Sequence, residues 1–360
     1  MARPLASLTT MRVGGPPRRM LRAETEEDLV AAVREADAAG EPLLVLGGGS
    51  NLVIADDGFP GTVVAVATTG VHVESADDCG GVLVRVAAGE SWDDLVARAV
   101  AESWSGVEAL SGIPGSTGAT PVQNVGAYGQ EVAQTIARVR VWDREEGRVR
   151  TLANADCAFS YRHSLLKESL LAGSGYTPRY VVLDVTFQLR PTALSQPIGY
   201  ADLAAGLAVE LGERVPLADA REAVLAQRRR RGMVLEPADH DTWSCGSFFT
   251  NPVLTEAEFD RLRQRAAARL GPEVTPPRFP AGDGRVKTSA AWLIDRAGFG
   301  KGHGLPGPVA LSTKHTLAVT NRGAARAEDV VALAREVRDG VAEALGVRLV
   351  NEPVLVGLRL

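Results

Sequence analysis

Cysteine, an excess of either charge and long apolar runs are all scarce in this 360-residue chain. Each scarcity removes a class of function. The three cysteines, Cys79, Cys157 and Cys245, are odd in number and far apart, with no CxxC or Cys/His spacing. Neither a zinc site nor a disulfide framework is implied. His163, His240, His303 and His315 share no spacing either, so no metal is assigned. The 39 basic and 44 acidic residues nearly balance, at a formal net charge of −5. That does not suggest a binder of nucleic acid or anionic membrane. The first twenty residues contain no apolar signal core, and no run is long enough to span a bilayer. The expectation is a cytoplasmic monomer that acts on small molecules. What is present is ordinary globular material: 45% hydrophobic residues, enough for a sizeable core, on a length that fits two domains.

Short elements alternate along the chain. Thr25 with Asp28, Ser91 with Asp94, and Thr255 with Glu258 each read as a helix N-cap followed by an acidic residue three positions on. Strands are expected over "LLVL" before Gly47, "TVVAV" from Thr62, and "VLVRV" from Val82. A hairpin should turn at Glu145 to Gly147. In "YVVLDVTFQL" from Tyr180, the residues Val181, Leu183, Val185, Phe187 and Leu189 fall on one face of a strand. Pro191 to Pro197 reads as a linker, so domains are expected over residues 1–195 and 196–360. Beyond it come a helix ending in "QRRRRG", a helix opening at Ser289, and a long one carrying Val330, Leu333, Val337, Val341 and Leu345. A final strand, "VRLVNEPVLVG", is expected to hold Glu352, either within the second domain or returning to the first.

Two stretches are rich in glycine. "GGGSN" (Gly47, Gly48, Gly49, Ser50, Asn51) follows a strand, and its bare backbone can approach a bound group closely or simply make a tight turn. It is not a GxGxxG fingerprint, because Leu52 stands where the last glycine would be. "SGIPGSTGATPVQNVGAYGQEV" (Ser111 to Val132) is long for a loop in a compact domain and offers many amide donors. It reads as half of a dinucleotide site or as a packed Ω-loop. "CGSFFTNP" sets Ser247 between a flexible glycine and two phenylalanines. "FSYRHS" offers Arg162, whose fork suits a carboxylate, though a surface ion pair is the commoner use. The arginine run Arg228 to Arg231 is most simply a solvated helix end, with a role near substrate phosphate as the lesser reading.

Seven stretches, in order from about residue 9 to 357, together resemble the UDP-N-acetylenolpyruvoylglucosamine reductase family of peptidoglycan synthesis. They are "TTMRVGG", "LGGGSNLVIADDGFPGTVV", "SGIPGSTGATPVQNVGAYGQEV", "FSYRHSLLK", "GSFFTNPV", "AAWLIDRAGFGKG" and "NEPVLVG". The resemblance implies an α+β fold: a two-lobed FAD-binding domain of the vanillyl-alcohol-oxidase (PCMH) type and a C-terminal α+β substrate domain. It implies non-covalent FAD, with NADPH as co-substrate. The enolpyruvyl ether of UDP-N-acetylglucosamine would be reduced to UDP-N-acetylmuramate, with hydride from flavin N5. It makes Arg162, Ser247 and Glu352 catalytic: the arginine and glutamate at the carboxylate and enolate, the serine as proton donor. The cofactor residues would be Gly47, Gly48, Gly49, Ser50 and Asn51, with Ile113, Pro114, Gly115, Ser116, Gly118, Ala119, Gln123, Asn124 and Tyr161. The substrate residues would be Tyr128, Tyr200, Arg231, Asn251 and His315. Alternatives at this point are a sugar or alcohol oxidase on the same fold, or a flavin binder without reductase activity. Neither glycine loop has a His or Cys for covalent FAD, and no G-x-S-x-G elbow surrounds Ser247.

Overall fold

The helices start where the hydroxyl caps stand. Thr25 accepts a bond from the Asp28 amide (3.1 Å), Ser91 from that of Asp94 (3.4 Å) and Ser289 from that of Trp292 (3.2 Å). Thr255 and Glu258 bond each other's amides reciprocally. The computed structural model describes residues 3–77, 80–173 and 175–360, so Cys79 lies outside the described residues. Among these, no helix is long and apolar enough to cross a membrane.

The described chain forms two packed units. The first comprises residues 17–49 and 60–234 and has two lobes. In the smaller, a three-stranded sheet runs in the order Pro17–Ala23, Phe59–Val66, Leu43–Leu46. The helix α1 (Glu26–Ala38) buries Leu29, Val33 and Ala36 with Leu43 and Val64. In the larger, an antiparallel sheet runs in the order Arg148–Ala153, Ile136–Asp143, Tyr180–Pro191, Gly81–Ala87, Val71–Asp77. Against it α2 (Trp92–Ala101) packs Trp92, Leu95 and Val96 on Val84, Val86 and Phe187. Then come α3 (Leu165–Ala172), α4 (Ala201–Leu207) and α5 (Leu217–Arg230). The last two share a small core of Ile198, Leu203, Val215 and Val224.

The second unit comprises residues 3–16, 50–59 and 235–360. Its core joins Phe248 and Phe249 to Phe259 and Leu262 of α6 (Glu256–Leu270) and to Leu293 and Ile294 of α7 (Ala290–Ala297). Val330, Val337 and Val341 of α8 (Ala327–Leu345) complete it.

Four features differ from the pattern in the sequence. The units part at Val234/Leu235, not at 195/196, and the N-terminal part of the chain lends two pieces to the second unit. The proline-flanked stretch is no slack linker: the Thr192 amide bonds the Ser103 carbonyl (2.8 Å), and that of Gln196 bonds the Glu108 carboxylate (2.6 Å). The strand Tyr180–Pro191 is central, so Val182, Asp184 and Thr186 are buried as well as the predicted face; alternation appears only at its far end. The closing strand is only Val354–Val356, parallel to Leu52–Ile54, and Glu352 stands just before it.

Candidate active site

In the first unit the two glycine stretches meet backbone to backbone. A Cβ on Gly47 would lie 2.4 Å from Ser116 Oγ, and one on Gly48 would lie 2.5 Å from the Gly115 Cα. Glycine here is a steric requirement of the contact. The loop from Ser111 is then zipped to the start of α2. The Trp92 amide bonds the Gly115 carbonyl (3.1 Å), the Thr117 amide that of Glu90 (2.8 Å) and the Gly118 amide that of Ala88 (2.8 Å). Beside Gly118, the Thr117 hydroxyl is buried with no protein partner. Bare backbone edges and an unpaired buried hydroxyl are the donor set that a diphosphate cofactor needs, so these residues fit FAD. Ile113, Pro114 and Gln123 are half-buried along the same loop, and Ala119 is exposed. Asn124 is not turned outward: its amide bonds Glu131 (2.8 Å) and the Ser160 carbonyl (3.1 Å), and its oxygen accepts the Ala133 amide (3.1 Å). These bonds shape the loop.

Strained backbone marks the neighbouring residues. Asn124, Tyr128 and Arg162 all have left-handed φ, at 48°, 49° and 53°. Such conformations in non-glycine residues cost of order 1 kcal/mol and cluster at functional sites. Arg162 Nη2 donates to the Gly126 carbonyl (3.2 Å), which brings it to the hairpin that carries Tyr128, with Tyr161 half-buried beside it. Tyr128 meets Tyr200 edge-on at 5.5 Å. Burial raises the Tyr128 phenol above its ordinary pKa, and the nearby Arg228 and Arg231 pull the other way.

The arginine run is not uniform. Arg229 and Arg230 are exposed. Arg231 pairs with Asp202 at 2.6 Å. Arg228 turns inward: its Nε is buried without a protein acceptor, and burial lowers its pKa to about 10. Arg228 was not singled out from the sequence, although helical spacing sets it on the α5 face of the buried Val224 and Leu225.

The second unit holds Ser247 and Glu352, the other two predicted catalytic residues, on backbone segments that pair. Residues 248–250 run antiparallel to 350–352. The Glu352 amide donates to the Phe248 carbonyl (2.9 Å), and the Thr250 amide to that of Val350 (3.0 Å). Ser247 and Glu352 therefore emerge at the same end of this pairing. Gly246 makes the turn before the serine with φ +71°. Phe248 and Phe249 are sunk in the core at 0% and 2% exposure, which fixes the backbone that carries the hydroxyl. Ser50 and Asn51, which follow Gly49 directly, belong to this unit. Asn51 supports Glu352 directly, its side-chain amide donating to the Glu352 carbonyl (3.3 Å). Cys245 lies near the Glu352 carboxylate, and burial pushes its thiol up to about 12. Asn251 caps α7 by accepting the Ala290 amide (2.9 Å). His315 sits in the turn whose Leu317 carbonyl takes the Phe248 amide.

Two family models match. One, described as an FAD binding domain, covers residues 17–153. The other, described as the C-terminal domain of UDP-N-acetylenolpyruvoylglucosamine reductase, covers residues 236–356. A protein of that name from Streptomyces coelicolor is 59% identical over 99% of this chain and 90% of its own length. The one from Thermobifida fusca is 58% identical over 99% and 98%, and that from Mycobacterium tuberculosis 52% over 99% and 95%. The crystal structure of the Thermus caldophilus UDP-N-acetylenolpyruvylglucosamine reductase overlaps 98% of this chain and 97% of its own. Its TM-score is 0.62 and its identity 25%.

Proposed function

The chain belongs to the UDP-N-acetylenolpyruvoylglucosamine reductase family, and from that premise we propose that its two half-reactions draw on separate sets of side chains. FAD, when bound, supplies the hydride chemistry, and NADPH is the source of the electrons. The substrate is the enolpyruvyl ether of UDP-N-acetylglucosamine. Its double bond takes a hydride on the terminal carbon and a proton on the carbon that bears the carboxylate. The product is the lactyl ether, UDP-N-acetylmuramate.

Arg162 holds the substrate carboxylate through paired N–H bonds and offsets the charge that spreads into it as the double bond is lost. Glu352, as a proton-sharing carboxyl, hydrogen-bonds the enolate oxygen. Ser247 gives up its hydroxyl proton to the remaining carbon. Serine is a feeble acid, but an enolate carbon is a strong base, so placement counts for more than pKa. Tyr128, Tyr200, Arg231, Asn251 and His315 bind the UDP-sugar. The single observation that carries this reading is the 2.9 Å bond from the Glu352 amide to the Phe248 carbonyl, which supports a serine and a carboxyl acting side by side.

The test is anaerobic stopped-flow on the FAD-loaded protein. NADPH should bleach the flavin, and the enolpyruvyl UDP-sugar alone should restore its colour with one equivalent of UDP-N-acetylmuramate. A bleached protein that oxygen restores but the UDP-sugar does not would overturn the proposal.

A further inference from the structure

Asp93, in the first turn of α2, makes three bonds that join two parts of the first unit. Its Oδ1 accepts the Gly112 amide at 2.6 Å, at the entrance of the glycine loop. Arg221 of α5 forks onto the same carboxylate, Nη1 to Oδ1 at 2.7 Å and Nη2 to Oδ2 at 3.0 Å. Trp92, one residue earlier, donates its indole N–H to the Leu110 carbonyl (3.2 Å), so α2 grips the loop on both sides of Ser111. Gly112 has φ +72°, and a Cβ there would lie 2.7 Å from Leu225 and 3.4 Å from Arg228 Nε. The loop and α5 thus touch directly, with Asp93 as the charged clasp.

On α5, Arg221, Val224, Leu225 and Arg228 follow at helical spacing, so the fork at Arg221 sets the rotation and depth at which Arg228 is presented. Arg228 has one bond to the Met233 carbonyl (2.8 Å) and the buried, unpaired Nε. Asp93 is hydrogen-bonded by Arg221 and Gly112, and acts on Arg228 through its charge alone. The groups whose charge Arg228 feels are the Tyr128 phenol and Asp93, which favour its cation, and two further cations, Arg162 and Arg231, which oppose it. A guanidinium with a buried free N–H, among other guanidiniums, is matched by an anionic ligand.

We propose that Asp93 is a positioning residue for substrate binding: through its fork with Arg221 it locks α5 to the glycine loop, so that Arg228 and Arg231 meet the anionic groups of the substrate. The inference rests on the proposed function, because it takes the UDP-sugar as the anion.

Asp93→Asn tests it selectively. The asparagine oxygen still accepts the Gly112 amide, but the neutral amide cannot take the two-point fork from Arg221. FAD content should stay at wild-type levels, because the bond to the Gly112 amide is kept, and re-oxidation by the UDP-sugar should be affected more than bleaching by NADPH. KM for the enolpyruvyl UDP-sugar should rise on the order of ten- to a hundredfold, the scale expected when a binding group is misplaced. Arg221→Met should reproduce the KM change, and the double variant should add little to either single one. Asp93→Ala, which loses the loop bond too, should also weaken FAD retention. A wild-type KM in both Asp93→Asn and Arg221→Met would overturn the inference, as would equal slowing of both half-reactions. If wild-type protein is itself not re-oxidised by the UDP-sugar, the function proposal fails first and this one falls with it.

Discussion

At the residue scale, the proposed chemistry rests on a few side chains, two of them on or beside backbone with positive φ, at Arg162 and Gly246. Ser247→Ala should separate the half-reactions. Flavin bleaching by NADPH should survive, while re-oxidation by the UDP-sugar should slow by at least about a hundredfold, the lower range for a positioned proton donor. Normal re-oxidation would return the serine to the role of a well-packed turn. Arg162 has φ 53°, a strain tolerated where geometry matters more than stability. Arg162→Lys keeps the charge but not the fork. Turnover should fall by more than about tenfold with flavin content unchanged; a fully active lysine variant would remove Arg162 from the carboxylate site. The glycine cradle has its own test. A Cβ on Gly48 would press on the Gly115 backbone, where nothing can swing aside. Gly48→Ala should therefore be purified without flavin and regain little on dialysis against FAD. A yellow variant with wild-type absorbance would show that the loops can part without cost.

At the element scale, caps and helical faces do most of the placing. The reciprocal box between Thr255 and Glu258 starts α6, which supplies Phe259 and Leu262 to the core beneath Phe248 and Phe249. Thr255→Ala should lower stability by about 1 kcal/mol, read as a shift in urea midpoint with unchanged m-value. The flavin spectrum should not move, since α6 is in the second unit and the glycine cradle in the first. An unshifted midpoint would mean that core packing alone fixes where α6 begins. α5 shows how one helix serves two environments. Its last turn has Arg229 and Arg230 in solvent and Arg228 turned inward, so a run of four identical residues divides by the helical period.

At the scale of the whole molecule, buried charges set the response to acid. Asp143 is fully buried and accepts a fork from Arg179 at 2.7 and 2.8 Å. Hydrogen bonds from Arg179 above all, with help from the Glu146 amide and Arg150, hold its carboxyl well below the usual range. A depressed carboxyl stabilises the fold above its unfolded pKa of about 3.9, and that stability is lost as pH falls through and below this value. Asp184 runs the other way. Burial raises its carboxyl in spite of Arg140, so it opposes folding at neutral pH and less so in acid. Asp143→Asn should cost about 3 kcal/mol at pH 7, as expected for breaking a buried pair. The gap to wild type should be constant from pH 7 to about 5 and shrink below about 4. Denaturation curves across that range check this; a gap that persists to pH 2 would rule out the ionised carboxylate as its source.

The sequence by itself determined what local rules control. The caps at Thr25, Ser91, Thr255 and Ser289, the hairpin at Glu145 to Gly147, and the amphipathic face of the last long helix depend on residues a few positions apart. The seven ordered stretches were also legible, because each is a contiguous run of residues, and the glycines among them serve a backbone contact that leaves no room for a side chain. Only the tertiary structure decided what depends on distant partners. Val354–Val356 pairs with a segment three hundred residues earlier, which draws Asn51 to Glu352 and ends the expected strand short of the catalytic candidate. Asn124 could offer its amide to many acceptors, and folding sets it against Glu131 and the Ser160 carbonyl. The proline-flanked stretch reads as a linker by composition, but Glu108 and Ser103 bind it down and carry the first unit on to Val234. Arg228 differs from its three arginine neighbours in nothing but the direction in which the last turn of α5 points it. Asp93 faces Gly112 and Arg221, while its neighbour Asp94 is exposed. Side-chain identity sets what a residue can bond; which of its possible partners it meets is fixed by packing across the whole unit.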